Sequence, residues 1–262
     1  MLRVATVALI LLLLAAVPAV AQPLAIDAST VGEPLSGKTA ELYMPGGAGP
    51  FPAVVVLHGC NGVGPNPRNW GRRLAAWGFI ALVVDSLTPR GHGVICGQGR
   101  LVPAELRGQD AFAAADYLRR RADVRPERIG VIGLSHGGWT VLKAVLAGGP
   151  RPAATAPFAA AVAYYPGCEP PSGALETDTL ILIGEADDWT PAARCVRWRD
   201  LVQPNGHALR LKTYPGALHA FDSGLTPPRV AFGHMIGGDP AAAADSFAET
   251  RAFFAARLAP GR

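Results

Sequence analysis

The sequence predicts an α/β protein with a mostly parallel sheet and helices on both faces. Three observations carry that expectation. Short continuous apolar runs recur, such as Ala53-Val-Val-Val-Leu57, and runs of this kind suit strands buried on both faces. They alternate with segments of helical spacing, the pattern of strand–helix–strand units. The chain has 262 residues, half of them hydrophobic and only 17% charged, which is enough to bury a large core. The same composition excludes a disordered chain. The 31 glycines have no period of three, which excludes a collagen-like repeat. Only one apolar run approaches spanning length, which excludes a polytopic membrane protein.

That run comes first. Met1-Leu2-Arg3 supplies a positive start, Val4 to Val17 is almost wholly apolar, and Ala19-Val20-Ala21 is a small-x-small pattern before Gln22. This layout predicts a secretory signal peptide over residues 1–21, with residues 22–262 as a single domain. An uncleaved anchor is the competing reading, but the run is short for a span of about 20 residues. No cysteine stands near the cleavage point, which argues against a lipid-modified N-terminus. The expected destination is the periplasm or the exterior, with no stable membrane span after cleavage.

The remaining elements follow in chain order. Lys38 to Met44 reads as an edge strand and Ala53 to Leu57 as a buried strand. Asn69 to Trp77 has helical spacing of Trp70, Leu74 and Trp77. Phe79 to Val84 is a second buried strand, closed by Asp85 and followed by a glycine-rich loop to Leu101. Pro103 to Arg121 is a long helix, with Pro near its first turn and an alanine-rich body. Arg128 to Leu134 is a third buried strand. A helix from Gly137 to Ala147 ends at Gly148-Gly149-Pro150. Phe158–Tyr165 and Thr179–Ile183 are further strands. Thr190-Pro191 reads as a helix start, with Thr as cap and Pro first inside. His207 to Thr213 alternates as a strand, and Ala241 to Leu258 forms the last helix. No internal repeat or Pro/Ser-rich linker divides the chain.

Charge and cysteines narrow the partners. The net charge of +4 falls to +3 once Arg3 leaves with the signal. The densest cluster, Arg119-Arg120-Arg121, sits at an expected helix end, where cations interact favourably with the helix dipole. No basic stripe is interleaved with aromatics, so nucleic acid is not an expected partner. Cys60, Cys96, Cys168 and Cys195 are even in number and bound for an oxidising compartment. Three pairings are open, with free buried thiols as the alternative. Their spacings do not fit a zinc site, and no metal is expected.

The chemistry is concentrated in Gly133-Leu134-Ser135-His136-Gly137. A G-x-S-x-G pattern alone is weak, but this one follows a buried strand and opens a helix. That is the setting of a nucleophile elbow, a turn so sharp that the flanking positions must be nearly free of side chain. Ser135 then projects from the carboxyl end of the sheet, where open α/β sheets place their ligands. A serine nucleophile needs a base, and the base needs an orienting acid. The acid is sought after the strand Thr179–Ile183, in Gly184-Glu185-Ala186-Asp187-Asp188-Trp189. Asp187 is favoured for its place just past the strand end, with Asp188 second and Glu185 last. For the base, His219 in Tyr214-Pro-Gly-Ala-Leu-His219-Ala-Phe221 lies at the correct end of the sheet; His207 and His234 are the other choices. The oxyanion of an acyl transfer needs two backbone donors. His136, directly after the nucleophile, is one. Cys60 is expected to be the other, with Asn61 second, from the loop His58-Gly59-Cys60-Asn61-Gly62. Trp139, Trp189, Tyr164, Tyr165 and Phe221 lie near these motifs and are candidates to line a substrate pocket or to be core.

Together the HGCNG loop, the GLSHG elbow, GEADDWTP and YPGALHAF resemble the dienelactone hydrolase family of the α/β-hydrolase fold, over about residues 37–258. The resemblance implies Ser135, Asp187 and His219 as a catalytic triad acting on a small-molecule ester, with no cofactor. In one respect the chain departs from the family's pattern. Dienelactone hydrolases proper carry a cysteine nucleophile where Ser135 stands here, which shifts the expected substrate from lactones toward carboxylic esters in general. A peptidase or acyltransferase of the same fold would use the same triad, and a catalytically silent binding protein is the reading from another class. In the fold so implied, Cys60 and Cys96 follow two neighbouring strands, and Cys168 and Cys195 follow another such pair. The expected disulfides are therefore Cys60–Cys96 and Cys168–Cys195.

Overall fold

A computed structural model describes residues 21–24 and 40–258. The export signal expected over residues 1–21 lies outside the described residues, apart from Ala21. Among the described residues ten strands and five α-helices follow one another. They are β1 (Ala21–Leu24), β2 (Ala40–Tyr43), β3 (Phe51–Leu57), α1 (Pro65–Ala76), β4 (Ile80–Val84), α2 (Ala104–Arg119), β5 (Val124–Leu134) and α3 (His136–Ala144). After these come β6 (Ala160–Tyr164), β7 (Thr179–Gly184), α4 (Ala192–Leu201), β8 (Leu209–Tyr214), β9 (Arg229–Ala231), β10 (His234–Ile236) and α5 (Pro240–Leu258).

Eight strands form one sheet in the order β1-β2-β4-β3-β5-β6-β7-β8. From β4 through β8 every neighbouring pair is parallel, while β1–β2 and β2–β4 are antiparallel. The sheet is thus mostly parallel, as the continuous apolar runs imply. β4 and β6 are buried at every position, which requires cover on both faces. α1 and α5 supply one layer and touch through Trp70 and Phe247, with ring centroids 5.4 Å apart. α2 and α3 pack on each other and on β5.

One sequence expectation changes here, and one pair of strands is new. β2 is not the edge strand, because β1 pairs along its outer side. A β9–β10 hairpin, which no apolar run announces, stands apart from the main sheet. Its strands have three residues each, too short for alternation to be legible. It is tied to the sheet's carboxyl end by the Gly237 N–H, which donates to the His219 carbonyl at 3.1 Å. Among the described residues no helix is long and apolar enough to cross a membrane.

Candidate active site

The loops after β3, β5, β7 and β8 all emerge at the carboxyl edge of the sheet. Ser135 sits between β5 and α3 with φ 54° and ψ −114°, a strained conformation for a residue with a side chain. The turn closes only because its neighbours are glycines. A Cβ on Gly133 would run into the Gly137 carbonyl, and one on Gly137 would strike the backbone of Leu57 and His58. A Cβ on Gly138 would stand 2.8 Å from the Tyr164 carbonyl oxygen. The elbow therefore packs directly on the end of β3, the strand that leads into the HGCNG loop.

A hydrogen-bonded relay runs from this serine. His219 Nε2 lies 2.9 Å from Ser135 Oγ, and His219 Nδ1 lies 2.8 Å from Asp187 Oδ2. His219 and Asp187 are each only 3% exposed, so the relay is shielded from water. The Asp187 carboxylate is saturated with donors. Oδ1 accepts from the Trp189 and Thr190 amides at 2.9 and 2.7 Å, and the Thr190 hydroxyl donates to Oδ2 at 2.8 Å. The His219 ring is held between Tyr165 and Trp189, with centroids at 4.7 and 4.9 Å.

The other candidates stand elsewhere. Asp188 is exposed and accepts from the Met235 amide at 3.1 Å, anchoring the β9–β10 hairpin. Glu185 accepts from the Thr213 hydroxyl at 2.7 Å. His207 faces Asp178 at 3.4 Å, at the amino end of β7 and β8 and away from the serine. His234 stacks on Trp189, with centroids 4.9 Å apart, and approaches Asp188 at 3.6 Å.

His136 opens α3, so its amide has no intrahelical acceptor and sits at the positive end of the helix dipole. Among the described residues the amides of His136 and Cys60 have no protein acceptor, and both residues line the surface around Ser135. Both expected disulfides are present, Cys60–Cys96 and Cys168–Cys195. The first ties the HGCNG loop to the long loop after β4.

A cavity of about 440 Å³ opens over Ser135 and His219, walled by Asn61, Asn66, Tyr165, Trp189 and Phe232. A smaller depression of about 240 Å³ lies on the other side of Ser135, against His136, Trp139 and Gly167. Trp189 lines both. Two pocket candidates fall away. Tyr164 is fully buried, and its hydroxyl donates to the Ser246 carbonyl at 2.9 Å and lies 2.8 Å from Thr250 Oγ1, both in α5. Strand alternation sends Tyr164 into the core, while Tyr165, at φ 35°, turns up into the cavity. Phe221 is also fully buried, because the chain turns inward at Ala220, φ 61°, and packs the ring among Tyr164, Tyr165 and Tyr214.

Thr190 is not the helix cap that its sequence position suggests. Pro191 occupies the cap, and the Thr190 side chain serves Asp187 instead. The three-residue spacing Asp187-x-x-Thr190, a carboxylate capping its own turn, was the available signal. Sequence reasoning also missed a buried carboxylate, Asp222. It accepts from the Trp70 indole at 2.7 Å and the Tyr165 hydroxyl at 2.7 Å, and burial pushes its pKa up. Among the described residues no group of three or more His, Cys, Asp or Glu side chains is arranged to hold a metal ion.

The parallel sheet with its serine elbow defines the α/β-hydrolase class. The chain belongs to the dienelactone hydrolase family, whose sequence model matches residues 39–258. A dienelactone hydrolase from Anabaena variabilis superposes with a TM-score of 0.67 at 20% identity, covering 92% of this chain and 99% of that one. A Bradyrhizobium protein described as a probable 2-oxo-3-(5-oxofuran-2-ylidene)propanoate lactonase is 26% identical over 215 residues, 75% of this chain and 82% of that protein. A bis(hydroxyethyl) terephthalate hydrolase from Streptomyces coelicolor is 34% identical over 100 residues, 37% of this chain and 29% of that protein.

Proposed function

We propose that the chain is an exported serine hydrolase of carboxylic esters. One observation carries the reading: the buried Ser135–His219–Asp187 relay, closed at 2.9 and 2.8 Å at the floor of a cavity. Ser135 Oγ attacks the acyl carbon while His219 Nε2 takes its proton. The carbonyl oxygen turns negative and is held by the Cys60 and His136 amides. His219 returns the proton to the leaving alcohol. Water, deprotonated by the same imidazole, then attacks the acyl-enzyme and releases the acid. Asp187 holds His219 in the tautomer with its proton on Nδ1.

The names of two relatives support the substrate class. One specifies a lactone and the other a terephthalate ester, and both substrates present an acyl–oxygen bond to a nucleophile. Two disulfides are compatible with an oxidising compartment, and the leader-like residues 1–21 supply the export signal. On this reading the mature protein begins at Gln22 and is one catalytic domain. The test is hydrolysis of p-nitrophenyl esters of graded chain length beside peptide substrates, with Ser135→Ala as control. Ester cleavage that the control loses, together with fluorophosphonate labelling of Ser135, supports the proposal. Cleavage of peptides alone, or equal rates for both proteins, overturns it.

A further inference from the structure

We propose that Arg107 is a positioning residue of this site: its guanidinium clamps the two segments that carry the oxyanion donors and places positive charge behind them. The inference rests on the reading of Ser135 as nucleophile.

Arg107 lies in the first turns of α2 and is wholly buried. Its Nη1 donates to His136 Nδ1 at 2.7 Å, and its Nη2 donates to the His58 carbonyl oxygen at 2.7 Å. His136 bears one donor amide, and His58 stands two residues before the other, Cys60. A single planar group therefore bridges the elbow and the HGCNG loop, the two pieces of backbone whose spacing sets the oxyanion hole.

Among the described residues no carboxylate accepts a hydrogen bond from Arg107. Asp110, one turn on, is engaged by both terminal nitrogens of Arg90 at 2.8 Å. Asp110 and Asp85 favour the Arg107 charge from a distance, and Arg90 opposes it. Among the described residues its Nε has no partner. A buried cation without a paired anion is costly, and an apolar side chain would fill the same space at lower cost. The charge finds its complement when the substrate carbonyl oxygen turns negative on the far side of the Cys60 and His136 amides. An interaction that strengthens only in the transition state accelerates the reaction.

The two histidines around Arg107 fit this role. His136 Nδ1 accepts from Arg107, which puts its proton on Nε2, 2.9 Å from the Gly99 carbonyl oxygen. His58 Nε2 accepts from the Ser86 amide at 3.2 Å, which leaves its proton on Nδ1, 2.6 Å from the Gly59 carbonyl oxygen. Both rings are thus neutral struts that add no competing charge.

The experiment compares wild type, Arg107→Gln, Arg107→Lys and Ser135→Ala on one p-nitrophenyl ester. It measures kcat, KM and the affinity of an alkyl boronic acid, which forms an anionic tetrahedral adduct on a serine nucleophile. Arg107→Gln is expected to lower kcat by about tenfold or more, with KM within about twofold, the scale of losing oxyanion stabilisation. Boronate affinity should fall in step with kcat/KM, and Arg107→Lys, which keeps the charge but not the fork, should lie between. A folded Arg107→Gln with wild-type kcat overturns the proposal, as does a kcat loss with boronate affinity unchanged. If circular dichroism shows that Arg107→Gln does not fold, Arg107→Lys decides: lowered kcat at constant KM supports the clamp, and wild-type kcat refutes it. Equal activity in Ser135→Ala instead removes the nucleophile assignment on which the inference stands.

Discussion

At the scale of single residues, Asp187 shows how a carboxylate is made into a fixed reference point. Four donors converge on its two oxygens, from the Trp189 and Thr190 amides, the Thr190 hydroxyl and His219. With every acceptor direction taken, the carboxylate cannot rotate, and the His219 ring inherits its orientation. Asp187→Asn keeps the shape but presents an amide N–H to Nδ1, which favours the opposite tautomer and removes the base from Ser135. On the proposed mechanism kcat should fall by about 10⁴ with little change in KM. Steady-state kinetics on a p-nitrophenyl ester check this, and a loss below tenfold would show that Asp187 is not the orienting acid. The same scale explains which residues could be read in advance. Ser135, His219 and Asp187 announce themselves because a nucleophile elbow and two loop motifs fix their neighbours. Arg107 and Asp222 act through contacts between residues far apart in the chain, which no local pattern marks, while Thr190 sits in a turn whose Asp187-x-x-Thr190 spacing is masked by its likeness to a helix cap.

At the scale of elements, the two disulfides make different demands. Cys168–Cys195 joins the loop after β6 to α4, and neither of its cysteines carries a proposed oxyanion donor. Cys60–Cys96 ties down the HGCNG loop, whose Cys60 amide is a proposed oxyanion donor. Each closes a loop of 27 to 36 residues and should stabilise the fold by about 2–4 kcal/mol. Replacing either pair by serines is therefore expected to lower the urea midpoint to a similar degree. Only the Cys60→Ser/Cys96→Ser pair should also lower kcat in conditions where both variants remain folded. Equal kcat in the two double variants would separate the disulfide from the site. The element scale is also where sequence reading worked best and where it stopped. β4, β6 and β7 are continuous apolar runs, so burial on both faces writes them into the sequence. β9 and β10 are three residues long and partly exposed, held by Asp188 and by the His219 carbonyl, so no periodicity betrays them.

At the scale of the whole molecule, the buried polar cluster behind the elbow sets an acid limit on stability. Burial first, and the Arg107 charge second, push His136 from 6.5 down to about 4. His58, fully buried, is pushed down for the same two reasons. The unfolded chain takes up protons on these imidazoles below pH 6.5, and the folded chain does not. Their contribution is therefore fully present above pH 6.5 and is lost as the pH falls toward 4. For His136 alone the displacement corresponds to about 3 kcal/mol, of which about 2 kcal/mol is lost by pH 5. Asp222 works in the opposite sense. Burial raises its pKa, so the folded state gains relative stability as the pH drops toward the ordinary carboxylate range, partly offsetting the histidines. Glu41, Asp123 and Asp178 are held below their ordinary values, so their contribution is lost mainly below pH 5, outside the diagnostic window. Urea unfolding at pH 7.5, 6.5, 5.5 and 5 should thus show stability flat at the top and falling steadily below 6.5. His136→Asn, whose amide oxygen can still accept from Arg107, should flatten the upper part of that fall. A wild-type curve with no loss between pH 6.5 and 5 would mean that the cluster takes up protons without unfolding. The neutral histidine struts assigned to the oxyanion hole would then be wrong.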